Sequence, residues 1–205
     1  MNVSLNEVEA TGKKAARGAG FDWGIAEEAG RAARWLCANG LDGCGALAAY
    51  LSGPRGHAPD GLNGVWRSSK GDLCPLITGA ALSDLALDLK RRPIEIENVT
   101  APLILLPFAA WASLAIGENV TLRVGDVEAV TDGIKLSVSG AVPEMGAQVT
   151  TFPAGKVSEA RPLETRALPD AAAWAVLSEF AHKTYAPATE ESRLLGAGAG
   201  LSDND

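Results

Sequence analysis

The densest group of side chains that could bind a small molecule lies within residues 23–35, which read as part of one helix. The group consists of two indoles, two carboxylates and two guanidinium groups: Trp23, Glu27, Glu28, Arg31, Arg34 and Trp35. Helical spacing places Glu27, Arg31 and Arg34 on one face. If that face lines a cleft, the arginines can hold a carboxylate or phosphate and the tryptophans can wall the pocket. The alternative, which the pattern favours, is an ordinary surface pair of Glu27 with Arg31.

A second candidate is the segment 66–72, which combines an aromatic, two cations and two hydroxyls. Trp66 and Arg67 open it, and Ser68, Ser69 and Lys70 follow. Such a set suits an anionic small molecule, but a solvated surface loop has the same composition. The sequence leaves both interpretations open.

Metal and nucleotide sites are not expected. His57 and His182 are the two histidines, and neither has a second ligand at zinc spacing. The glycines of segment 196–200 resemble a phosphate-binding loop, but a dinucleotide motif must open a helix and none is predicted there. We therefore predict no cofactor and no metal.

The three cysteines, Cys37, Cys44 and Cys74, lack C-x-x-C spacing. They are expected to be reduced thiols without a disulfide framework. His57 could serve as a base for Cys44 or Cys74, but buried, unreactive cysteine is the commoner state.

The first three predicted helices position the arginine-rich segment. Ser4 with Glu7 forms a capping box that begins the first helix. Asp22 is expected to cap the second, which Gly40 ends, and Asp42 to cap a third that reaches about Ser52.

The surfaces of the first two helices are predicted to differ. Gly12 and Gly30 should let these helices pack closely, whereas Glu9, Lys13 and Arg17 should form a ladder of opposite charges on the outside.

The spacing of the apolar residues changes after residue 92, from a helical period to the alternation typical of strands. Before that point, residues 53–72 read as a long loop and residues 74–89 as helical after Ser83. The predicted strands cover residues 94–97, 103–106, 120–124, 127–131, 134–138 and 148–152. Asp132-Gly133 supplies a hairpin turn in an antiparallel meander, and a last helix is predicted over residues 170–184.

Composition excludes two classes of partner. The net charge is −7 and the one dense basic run is residues 90–92, so nucleic acid is not an expected partner. The N-terminus lacks the features of a secretory signal, and the apolar run 101–116 is too short for a membrane helix. We predict a cytoplasmic protein without a membrane anchor.

The two ends of the chain resemble a known family. The residues that carry the resemblance are segments 5–10, 14–20 and 23–30 together with segments 189–193 and 196–205. They are similar to an uncharacterised, mainly alphaproteobacterial family catalogued as a domain of unknown function. The resemblance implies no activity, substrate or catalytic residue.

These patterns predict an α+β fold, with a helical N-terminal half packed on an antiparallel sheet and closed by a C-terminal helix. A single domain over residues 1–205 is expected, with a helical part at about 4–92, a sheet at about 93–153, and a C-terminal helix and glycine-rich tail at 168–205.

The first functional hypothesis is a small-ligand-binding or accessory protein of bacterial metabolism, acting as a homodimer or beside a partner enzyme. An anionic small molecule would contact Arg17, Trp23, Glu27, Arg34, Trp66, Arg67, Ser192 and Arg193. The alternative is a small metabolic enzyme with Glu27 or Glu28 as the base and Arg34 or Arg67 binding the substrate. An enzyme should place a carboxylate in a cleft beside the arginines, whereas an accessory protein should expose an apolar patch.

Overall fold

The computed structural model describes residues 1–143 and 145–185 and has the predicted α+β architecture. The helices are α1 (Leu5–Gly18), α2 (Trp23–Ala38), α3 (Gly43–Ser52), α4 (Pro75–Asp84), α5 (Leu105–Ile116) and α6 (Ala171–His182), with 3₁₀ turns at Ala86–Lys90 and Pro102–Ile104. The strands are β1 (Val3–Ser4), β2 (Val65–Trp66), β3 (Ile94–Thr100), β4 (Val120–Val124), β5 (Val127–Thr131), β6 (Leu136–Val138), β7 (Met145–Pro153) and β8 (Arg166–Ala167).

Helices α1 and α2 pack with their backbones in direct contact, as the glycines predict. A Cβ atom on Gly30 would overlap the carbonyl oxygen of Glu9 and lie 2.9 Å from the backbone nitrogen of Lys13. One on Gly12 would lie 3.2 Å from the Cα of Gly30. The absence of side chains at these two positions therefore sets the distance between the helices.

Helix ends follow the sequence signals at most positions. The Ser4 hydroxyl accepts the Glu7 N–H at 3.1 Å, and the Asp42 carboxylate accepts the Gly45 N–H at 2.8 Å. Gly40 has a φ of +66°, and the following N–H, that of Leu41, donates to the Leu36 carbonyl at 3.0 Å. This arrangement is a Schellman motif, so the predicted glycine stop of α2 is confirmed.

The predicted cap of α2 is wrong in one respect. Asp22 occupies the N-cap position with an extended backbone, but its carboxylate accepts no capping hydrogen bond within the described part of the chain. The helix begins where expected without this bond, because its apolar face is buried against α1.

The apolar run 101–116 is a 3₁₀ turn followed by helix α5, and the predicted strand at 103–106 is wrong. Nine of the twelve residues of α5 are buried, so the run has no polar face from which a helical period could be read. Pro107 does not break the helix because it lies in the first turn, where backbone N–H groups have no intrahelical acceptor.

Helix α4 begins earlier than predicted. The sequence places helical structure after Ser83, but α4 starts at Pro75, a favoured first position, with Cys74 as its N-cap, and it ends at Asp84. The predicted helical segment after Ser83 is mainly the 3₁₀ turn Ala86–Lys90. The sulfur of Cys74 accepts the N–H of Ile77 at 3.5 Å.

The main sheet has the strand order β2-β3-β7-β4-β5-β6 and is mixed, because β2 pairs in parallel with β3. Strand β7, expected as a last addition, lies between β3 and β4. Strands β4, β5 and β6 form the predicted antiparallel meander. The predicted loop 53–72 contains β2, which was not expected.

The turn between β5 and β6 is longer than the two residues predicted. Strand β6 starts at Leu136, which pairs with Thr131. The Asp132 carboxylate accepts the N–H groups of Ile134 and Lys135 at 3.0 and 2.7 Å and so fixes the four-residue turn.

Helix α6 closes the helical layer by packing on α1 and α3. Asp170 caps it by accepting the N–H groups of Ala172 and Ala173 at 2.8 and 3.2 Å. Just before α6, β8 pairs with β1, an antiparallel pair of two-residue strands that the sequence does not signal. No helix of the described residues is long and apolar enough to cross a bilayer.

The α1–α2 contact gives a first prediction. We expect Gly30→Ala to lower the free energy of unfolding by about 1–3 kcal/mol, because the added methyl group forces two backbones apart. Gly24→Ala in the same helix is the matched control, since a Cβ there meets nothing within 4 Å. Urea unfolding of both variants measures the difference, and equal losses in the two would contradict the packing argument.

The cap of α6 gives a prediction about pH. The N–H groups of Ala173 and Ala172 hold the pKa of Asp170 below its ordinary value. A lowered pKa in the folded state means that the stabilisation is complete above the unfolded-state pKa of about 4 and is lost as the pH falls through the folded-state value.

The stability difference between the wild type and Asp170→Ala should therefore shrink as the pH is lowered below about 4. Thermal unfolding from pH 7 to pH 3 measures it. The difference between Asp170→Asn and Asp170→Ala, which both lack the charge, should stay constant over the same range. A wild-type advantage that is unchanged at pH 3 would rule out a charged cap.

Candidate functional site

A cleft of about 320 Å³ between α1, α2 and α5 contains the two arginines that the sequence singles out on α2. We call it the arginine–tryptophan cleft. Its lining residues are Glu9, Arg31, Arg34, Trp35, Ala38 and Trp111.

Three elements bring these side chains together. Helix α2 supplies most of the lining, because residues three or four apart, such as Arg31, Arg34 and Ala38, share one side of a helix. Helix α1 supplies Glu9, whose backbone lies against α2 at Gly30. Helix α5 supplies Trp111, which is partly buried and packs against the core.

Each guanidinium in the cleft is oriented by a carboxylate. Arg34 Nη1 lies 2.7 Å from Glu9 Oε2, an ion pair between α2 and α1. Arg31 Nη1 lies 3.0 Å from Glu28 Oε1, one turn earlier in the same helix. Both arginine side chains are nearly half exposed, so these pairs contribute little to stability but restrict the orientation of the guanidinium groups.

The two indoles form fixed walls. The Arg31 guanidinium lies 4.7 Å from the centroid of the Trp111 ring, and the ring itself packs edge-to-face on Phe108 at 4.8 Å. Trp35 Nε1 donates to the carbonyl oxygen of Gly133 at 3.3 Å, which joins α2 to the β5–β6 turn. Aromatic packing and this hydrogen bond hold the walls in place.

The charge in the cleft is balanced, but the hydrogen-bonding capacity is not used up. An arginine has five N–H donors, and each guanidinium here has one side-chain acceptor among the described residues. Glu28 Oε2 is buried and has no hydrogen-bond partner in the described part of the chain. The remaining arginine N–H groups can therefore bind an acceptor group of a ligand.

The rest of the predicted cluster on α2 faces a different surface. Glu27 pairs with Lys13 of α1 at 3.2 Å, and Arg17 lies 5.2 Å from the ring centroid of Trp23. Trp23 is 54% exposed. Arg17, Trp23 and Glu27 thus lie together on the outer α1–α2 surface, and none of them lines the arginine–tryptophan cleft.

Two local charge predictions are corrected. The expected pair of Glu27 with Arg31 is not formed, because Arg31 pairs with Glu28 instead. The expected ladder along α1 is also wrong: Glu9, Lys13 and Arg17 contact α2 rather than one another. The close approach of the helices makes the inter-helix partners available.

The two predicted ligand-binding residues of the second candidate, Trp66 and Arg67, lie in different environments. Trp66 is buried in β2, where its Nε1 donates to the carbonyl of Leu62 at 3.1 Å, so it is a core residue. Arg67 is exposed, and its backbone carbonyl accepts the N–H of Asp60 at 2.9 Å. Neither residue lines the clefts described here. The remaining predicted residues, Ser192 and Arg193, lie outside the described part of the chain.

The sequence missed two residues of the cleft, Glu9 and Trp111. The sequence predicts Glu9 as part of an exposed ladder of charges on α1. The close helix pairing that Gly12 and Gly30 predict could have indicated instead that Glu9 lies against α2. The sequence gives no local signal for Trp111, because the apolar run around it has no polar face from which a helical period could be read.

Two further clefts border α3. One, of about 670 Å³, is lined mainly by apolar groups and includes Tyr50, Leu103 and Met145. The other, of about 530 Å³, lies between the α2–α3 turn and the segment that leads into α6, and it reaches Cys37. Neither contains the residues that the sequence predicts for ligand binding.

The comparisons with known proteins agree with the resemblance of the N-terminal segments. No curated protein and no solved structure matches the chain. Residues 3–94, which run from β1 through α4 to the start of β3, match the model of a family described as "Protein of unknown function (DUF3726)". Over its N-terminal helices, the chain is therefore similar to a family whose description gives no activity.

Proposed function

We propose that this chain is a small-ligand-binding protein, and that the arginine–tryptophan cleft binds a molecule with a carboxylate or phosphate group. The observation that carries the proposal is the pair of guanidinium groups, Arg31 and Arg34, held beside two indoles in one concave site. Planar, bidentate donors are the side chains that best match carboxylate and phosphate oxygens.

Contacts within the protein restrict both arginines of the cleft. Arg31 is held between the Glu28 carboxylate and the face of Trp111, and Arg34 is held by Glu9. A ligand that uses the remaining N–H groups loses little free energy to side-chain ordering, because the arginines are already restricted. The carboxylates also limit affinity for a simple anion, since they offset the positive charge.

The volume of the cleft limits the ligand. About 320 Å³ is at the lower end of the range for small-molecule sites. The indoles provide apolar surface, and the arginines provide the polar contacts that fix orientation. We therefore propose a small metabolite with one anionic group and an apolar or planar portion.

The exposed apolar residues beside the cleft support an accessory role. Leu114 of α5 is 56% exposed, and Ile134 of the β5–β6 turn is 60% exposed. The two are linked through Gly133, whose added Cβ would overlap the Leu114 side chain and whose carbonyl accepts the Trp35 hydrogen bond. An apolar surface next to a ligand cleft suits a second copy of the chain or a partner enzyme. Cytoplasmic location stays a prediction from the sequence.

One observation supports the alternative, an acid–base enzyme. Glu28 Oε2 is a buried carboxylate oxygen without a hydrogen-bond partner among the described residues, and the other oxygen contacts Arg31. A base beside a substrate-binding arginine needs such a free oxygen. We rank binding first, because Glu28 does not line the cleft. Glu27, the other predicted base, lies on the outer surface.

The binding site can be tested by thermal shift. The probes are inorganic phosphate and a panel of small mono- and dicarboxylates, some of them with an aromatic ring. A probe at 100 times its dissociation constant should add about 2.7 kcal/mol of stability, which raises the melting temperature by several degrees. Arg31→Ala and Arg34→Ala should each abolish the shift.

Arg91→Ala is the matched control, because Arg91 is 82% exposed and pairs only weakly with Asp88, at 3.6 Å. Its shift should equal that of the wild type. A shift that persists in both cleft variants would place the ligand elsewhere, and no shift with any probe would contradict an anion site. If a probe binds, its turnover in the wild type and its loss in Glu28→Gln would favour the enzyme over the binding protein.

A further inference from the structure

The strongest chemical feature outside the arginine–tryptophan cleft is a pair of thiols at the α2–α3 turn. Cys37 lies in the last turn of α2 and Cys44 in the first turn of α3, and their sulfur atoms are 3.9 Å apart. Both are free thiols. A disulfide requires a distance of about 2.05 Å, so a side-chain movement of about 2 Å would join them.

The surroundings give the two sulfurs different acidities. Either thiol can donate in the contact between Cys37 and Cys44. This contact, and to a smaller extent the backbone N–H groups of Gly43 and Cys44, lower the pKa of Cys37, whereas burial and the Asp42 carboxylate act in the opposite direction. The same hydrogen bond and burial raise the pKa of Cys44. The first turn of α3 is a helix N-terminus, which further favours a negative charge on Cys37. When the pair loses a proton, this contact therefore favours the thiolate on Cys37 and the remaining proton on Cys44.

Access from solvent also distinguishes them. The cleft of about 530 Å³ is lined by Cys37, which is 6% exposed, whereas Cys44 is fully buried and does not line the cleft. The cleft is lined by residues of the α2–α3 turn and of the segment before α6. A small reagent that enters it meets Cys37 first.

We propose that Cys37 and Cys44 are a reversibly oxidised thiol pair, and that a small hydroperoxide entering this cleft oxidises Cys37, after which Cys44 closes a disulfide. In the first step, the Cys37 thiolate attacks the distal oxygen of the peroxide. The S–O bond forms, the O–O bond breaks, and the leaving hydroxide or alkoxide takes a proton from solvent.

In the second step, the Cys44 thiol loses its proton and attacks the Cys37 sulfur of the sulfenic acid. The S–S bond forms, the S–O bond breaks, and water leaves. With hydrogen peroxide, two thiols lose two electrons and two protons, and the peroxide is reduced to two molecules of water. A dithiol reductant reverses the change by thiol–disulfide exchange.

Cys74 provides an internal contrast. It is fully buried, the Tyr50 hydroxyl donates to its sulfur at 2.9 Å, and it has no second thiol beside it among the described residues. It also caps α4. Serine is a favoured N-cap residue and can accept the same hydrogen bonds, so Cys74→Ser should fold and retain the reactive pair.

The test is oxidation of the folded protein, at low concentration, with one equivalent of hydrogen peroxide. We expect two of the three thiols to be lost and the intact mass to fall by two hydrogen atoms. Peptide mapping should show Cys37 linked to Cys44 within one chain, and dithiothreitol should restore both thiols. Cys74→Ser should give the same result.

Two variants test the order of the steps. In Cys44→Ser, the sulfenic acid at Cys37 should persist and react with dimedone. In Cys37→Ser, rapid peroxide consumption should be lost. The wild-type rate should rise with pH around a midpoint below the ordinary cysteine pKa of about 8.5, because the thiolate is the reacting form.

Several results would overturn the proposal. These are a disulfide between chains rather than within one, oxidation of Cys74 at the same rate as Cys37, or retention of all three thiols after peroxide treatment. The wild-type peptide map decides the outcome even if a cysteine variant fails to fold. Circular dichroism of each variant identifies such a failure.

Discussion

The contact between the backbones of α1 and α2 at Gly30 is the constraint on which the candidate site depends. Because no side chain separates the helices there, Glu9 reaches Arg34 and Lys13 reaches Glu27. The same approach therefore produces two different surfaces. One is an outer face of ion pairs and stacked cations, which resembles ordinary protein surface. The other is the wall of a cleft in which paired arginines retain free donors.

Helix α5 is the second element on which the candidate site depends, because it connects the helical layer to the sheet. It is buried along nearly its whole length and packs on α2 and α4 on one side and β4 on the other. The Ser113 hydroxyl lies 2.6 Å from the Glu118 carbonyl and 3.3 Å from that of Thr131, which ties the end of α5 to β5. These contacts fix the position of the helix that carries Trp111. Trp111 itself is partly buried and packs against the core, so this wall of the cleft is anchored in the interior of the protein.

The sequence predicted the features that depend on local chemistry, and missed those that depend on distant partners. Caps at Ser4 and Asp42, the glycine stop at Gly40 and the strands 120–124 and 127–131 follow from side chains that act on neighbouring backbone. The strand predicted at residues 103–106 is wrong because the mostly buried helix that follows has no polar face from which a helical period could be read. The lining of the arginine–tryptophan cleft was predicted only in part, because some of its residues come from distant segments of the chain. Arg31, Arg34 and Trp35 share one helix, whereas Glu9 and Trp111 come from elements whose pairing no local pattern encodes. Trp66 shows the reverse error, since an indole in a polar loop lies in the core.

The arginine–tryptophan cleft and the thiol pair share α2 but face different elements. Arg34 and Trp35 are directed towards α1, α5 and the β5–β6 turn, whereas Cys37, two residues further on, faces α3. Successive residues of a helix are separated by about 100°, so Cys37 lies roughly 200° around the axis from Trp35. The two proposals therefore rest on separate contacts. Removing the Arg34 guanidinium leaves the sulfur pair and its α3 donors intact, and oxidising Cys37 removes no group that lines the arginine–tryptophan cleft. If both properties are found in one chain, any communication between them must pass through the last turn of α2, where the Leu36 carbonyl accepts the Schellman hydrogen bond.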